Sequence, residues 1–68
     1  MTPVDEALAR AEELLGTLNM KREELERLAE ADDVDGGAAV DLITDLAELA
    51  RRIEAELTRA RTLADAAG

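Results

Sequence analysis

Sixty-eight residues with no cysteine, histidine or aromatic side chain leave room for one small domain and remove most of the usual catalytic repertoire. Disulfides, Cys/His zinc sites, haem ligation by histidine and Ser-His or Cys-His nucleophiles are all excluded. Seventeen acids against eight bases give a net charge of −9, which argues against direct binding of nucleic-acid phosphates or an anionic membrane.

The chain opens with a helix-start signal. Thr2 can cap, Pro3 suits the first helical position because its missing N–H is not needed there, and Asp5 stands three residues after the cap. Met1 to Glu6 shows neither a basic leader region nor an apolar run, so no secretory leader is read and a cytoplasmic setting is expected. No stretch approaches the roughly 18 apolar residues of a membrane span.

From Pro3 the residues are strong helix formers, predicting a first helix over 3–31. Its apolar stripe is Val4, Leu8, Ala11, Leu15, Leu18, Leu25 and Leu28, spaced by three, four and seven. Gly16-Thr17-Leu18-Asn19 is the weak point of this helix. The heptad spacing of Val4, Ala11, Leu18 and Leu25 predicts that the helix continues through it.

Asp32 to Gly37 reads as the turn, with Asp33 or Asp35 capping the next helix and Gly36 or Gly37 taking a left-handed backbone conformation. Against a calcium-binding loop with Gly36 as its glycine, Asp33 and Asp35 fall on ligand positions. Ala31 and Leu42 occupy the first and twelfth positions, where oxygen ligands are required. The acidic turn is therefore read as solvated, and no metal or other cofactor is expected.

A second helix is predicted over 38–66, with the stripe Ala39, Leu42, Leu46, Leu49, Ile53, Leu57, Ala60 and Leu63. The glutamate pairs Glu12/Glu13 and Glu23/Glu24 diverge by about 100° on a helix and have no cleft to raise a pKa, so they read as solvated faces. Arg51, Arg52, Arg59 and Arg61 are interleaved with acids and read as intrahelical ion pairs. No enzymatic activity is expected of this chain.

The two stripes define an all-α antiparallel hairpin. Pairing positions whose numbers sum to about 69 sets Leu15 near Ile53, Leu18 near Leu49 and Leu25 near Ile43. Lys21 and Arg22 then face Asp45 and Glu48 as a polar layer that fixes register. One hairpin leaves apolar flank in water, so two are expected to pair as a dimeric four-helix bundle. The interface is read as Leu15, Leu18, Leu25, Leu28, Leu46, Leu49, Ile53 and Leu57.

Two blocks give the chain a family likeness. Glu6-Ala7-Leu8, then Glu12-Glu13-Leu14-Leu15 and Leu18-Asn19, together with Leu49-Ala50, Leu57 and Ala60, resemble the two helices of the small subunit of bacterial exodeoxyribonuclease VII. The turn residues depart from that pattern, and Leu18 and Leu49 stand 31 residues apart, farther than in the family. The resemblance implies a noncatalytic accessory subunit whose partner is a larger nuclease chain. Composition and periodicity lead to a noncatalytic acidic oligomerisation module whose partner is a copy of itself. An acidic inhibitor of a basic protein, acting through Glu23, Glu24, Glu26, Glu30, Asp32, Asp33 and Asp35, is the third reading.

Overall fold

The computed structural model describes residues 1–31 and 36–67, all but the ends helical: α1 spans Pro3–Glu30 and α2 spans Gly36–Ala67. The two lie antiparallel as a narrow ribbon measuring 54 × 16 × 11 Å. Asp33 and Asp35, the expected caps of the second helix, lie outside the described residues.

Thr2 starts α1 as the sequence predicts. The Asp5 amide donates to the Thr2 hydroxyl at 3.1 Å, and the Thr2 amide donates to the Asp5 carboxylate at 3.2 Å. Two otherwise orphaned amide donors are thereby satisfied reciprocally. The Thr2 backbone N–H, and after it the Thr2 side chain, hold the exposed Asp5 carboxyl below its ordinary pKa, because hydrogen bonds to the carboxylate favour its charged form. At the other end Ala31 leaves the helix in an extended conformation, its amide bonded to the Leu28 carbonyl at 3.3 Å.

Helix α1 runs unbroken through Gly16, and a Cβ added there would meet nothing within 4 Å. Nearby, the Thr17 hydroxyl donates to the Glu13 carbonyl, a local bond compatible with the helix. Gly36 and Gly37 are a correction to the expected turn. Both belong to the first turn of α2, and no glycine among the described residues has positive φ. A right-handed helix requires negative φ, so residues taken into it cannot supply the left-handed conformation.

A strict alternation of three- and four-residue steps organises the seam. In α1 the inward row is Val4, Ala7, Ala11, Leu14, Leu18, Lys21, Leu25 and Leu28, each buried or half-buried. In α2 it is Ala39, Leu42, Leu46, Leu49, Ile53, Glu56, Ala60 and Leu63. Taking Val4 and Ala39 as position a of a heptad, these rows are positions a and d, the coiled-coil pattern. Ala7, Ala11 and Ala60 are buried near the open end, where small side chains admit close approach of the helices. Leu42 and Leu49 are the buried leucines of the half nearer the turn.

Two ion pairs set the register. Arg10 Nε lies 3.5 Å from Glu56, and Lys21 Nζ lies 3.6 Å from Asp45. Facing positions therefore sum to about 66, three less than the sequence reading supposed. Ile43, 55% exposed, lies on the flank outside the inward row, and Leu42 is the buried residue of α2 near the Leu25 level. Lys21 does take Asp45, as expected. Glu48 instead receives a 2.8 Å hydrogen bond from Arg52, one helical turn on in α2, and Arg22 stays exposed.

Candidate interaction surface

The hairpin has two flanks of opposite character. Beside the seam, position g of both helices holds Arg10, Thr17, Glu24, Asp45, Arg52 and Arg59, and every ion pair between the described helices engages this side. In an antiparallel pair the two g rows share one flank and the two e rows share the other. The e flank carries Leu8 and Leu15 from α1 and Ile43, Ala50, Leu57 and Ala64 from α2. Leu8, Leu15 and Leu57 remain 45–48% exposed. Arg22 is its one charged member among these heptad positions.

An open, shallow groove lies along the same side of α2. Ala50, Ile53 and Leu57 make its apolar floor, and Glu54, Thr58 and Arg61 its outer wall. Together the open side chains present on the order of 400 Å² of apolar surface, the size of the largest patch on an ordinary monomer, which is often functional.

The eight residues expected at an interface divide between two places. Leu18, Leu25, Leu28, Leu46, Leu49 and Ile53 sit in the hairpin's own seam, withdrawn to different degrees from water. Leu15 and Leu57 stand on the open flank. Sequence reasoning misses Leu14 as a seam residue, sets Leu8 and Ile43 in the seam rather than on the flank, and counts Ala7 and Ala50 among the alanines of the apolar faces without dividing seam from flank. The alternation of steps is the available signal: Ala7 and Leu14 preserve it, whereas Leu8 and Leu15 lie one residue, about 100°, beyond it.

The seam contains one polar feature not anticipated from the sequence. Glu56 occupies a d position, its side chain 20% exposed, and its Oε2 is shielded from water without accepting a hydrogen bond. Arg10 neutralises it from the g row as an ion pair at 3.5 Å. Lys21 and Asp45 repeat that d-to-g geometry with the signs and helices exchanged.

No described helix is long and apolar enough to cross a membrane, and no group of three or more acidic side chains among the described residues is placed to hold a metal. No family model matches the chain, and neither a curated protein nor a solved structure matches it.

Proposed function

We propose that this chain is a noncatalytic acidic oligomerisation module that completes its core by association, two hairpins forming a four-helix bundle. One observation carries the reading. After the seam has formed, only Ala7, Ala11, Leu42, Leu49 and Ala60 are buried among the described residues, and no large side chain is fully enclosed. A core of three alanines and two leucines is small even for a domain of this length, and chains of this size ordinarily need a staple. Cysteine is absent, which leaves association as the source of further burial.

Function on this reading is the joining of chains. The flank offers area and shape, and the polar opposite side keeps the assembled bundle in solution. Sedimentation equilibrium at micromolar concentration tests it: the reading expects at least twice the 7.3 kDa chain mass. A folded helical species at the single-chain mass would overturn it. The accessory-subunit reading would then gain ground, with the same flank covered by a different and larger chain.

A further inference from the structure

We infer that the occupant of the apolar flank is a second copy turned end for end, related by a two-fold axis at the level of Leu15 and Ala50. This rests on the association proposed above and adds its face, orientation and register.

The area fits a copy of this chain. The broad face of the ribbon is 54 × 16 Å, so a second ribbon laid along it covers about 800 Å² on each partner, the standard size of a stable interface.

The e rows are also self-complementary about one level. In α2 the row reads Ile43, Ala50, Leu57, a small residue with a large one seven positions to either side. Turned end for end about Ala50, Ile43 of one copy meets Leu57 of the other, twice, and the two Ala50 residues meet on the axis. The observed ion pairs place Ala50 level with residues 15–16 of α1. The same axis therefore sets Leu15 against Leu15, and Leu8 against the aliphatic stem of Arg22.

Charge decides between the two orientations. Arg22 is a cation on an apolar flank, and Glu12 borders that flank from the neighbouring b row. End-for-end pairing brings Arg22 of each copy within about four residues, one helical turn, of the level of Glu12 in the other, a reciprocal pair as a two-fold interface requires. Same-end pairing instead sets Arg22 among Val40, Ile43 and Ala47, with no acid of the facing b and e rows at that level.

The test uses the full chain in sedimentation equilibrium with spin-label distance measurement, which the absence of native cysteine makes clean. Leu57→Glu should weaken the dimer at least about 100-fold, while Thr17→Glu on the polar flank changes it less than about threefold. A label at Asp65→Cys should report a separation of about 45 Å or more, since 15 residues from the axis in each copy span that length at about 1.5 Å per residue. A dimer that ignores Leu57→Glu, or labels within about 30 Å of each other, would overturn this inference and leave association standing. A single-chain mass for the unsubstituted protein would overturn both.

Discussion

Replacing Glu56 with leucine should make the protein more stable. Glu56 occupies a d position in the seam, its side chain 20% exposed and one carboxylate oxygen shielded without a hydrogen bond. Leucine there continues the apolar row between Ile53 and Ala60, and burying such a side chain contributes about 1.5–3 kcal/mol. The lost attraction to Arg10 offsets little, because Arg10 is 47% exposed and pairs of that kind contribute about 0–1 kcal/mol. The net gain is about 1–2 kcal/mol, a rise in melting temperature of several degrees for a domain of this size. Urea unfolding followed by circular dichroism measures it, at one fixed protein concentration because association shifts apparent stability. Arg10→Ala, which leaves the shielded carboxylate unpaired, should move the midpoint the other way. A lower midpoint for Glu56→Leu would refute the placement of Glu56 in the seam, and with it the register of the hairpin.

Gly16→Ala should stabilise α1 by about 0.5–1 kcal/mol, since the added methyl meets open space and alanine is the better helix former; thermal melting reads it. Thr2→Ala should cost about 1 kcal/mol by removing the cap, seen as faster amide exchange in the first turn. Asp5 titrates low because hydrogen bonds favour its charged form, so its contribution is complete above the ordinary aspartate range and is lost as pH falls through the lowered folded value. An NMR titration of the Asp5 carboxyl should therefore give a midpoint below that of an unfolded reference peptide, and Thr2→Ala should raise it. Lys21→Leu should leave stability similar or higher while admitting a second register, visible as doubled amide resonances, because Lys21–Asp45 is one of two pairs that set alignment.

Much of the hairpin was legible from local chemistry. Thr2, Pro3 and Asp5 announce the start of α1, and the heptad from Val4 to Leu25 carries it across Gly16. The flanks were not legible in the same way. At Ala7-Leu8 and Leu14-Leu15 two apolar residues stand side by side, and choosing Leu8 and Leu15 for the seam breaks the alternation that Ala7 and Leu14 keep. Burial favours the regular row over the larger side chain, since only that row stays against the facing helix along its whole length. Glu56 was read as one of the acids pairing with the arginines of its own helix for the converse reason: a charge in the pattern reads as surface until its partner, Arg10, is seen one helix away. The register rule misses by two to three residues because the numbering of the turn was used to set it, although its Leu18–Leu49 pairing agrees with the register that Arg10–Glu56 and Lys21–Asp45 mark in the structure.

The central claim is that folding is completed by association, and the concentration dependence of melting tests it most directly. A chain whose core is finished by a second copy should melt at a temperature that rises steadily from low micromolar to hundreds of micromolar protein, by mass action. The same helical signal with a melting temperature independent of concentration over that range would contradict it.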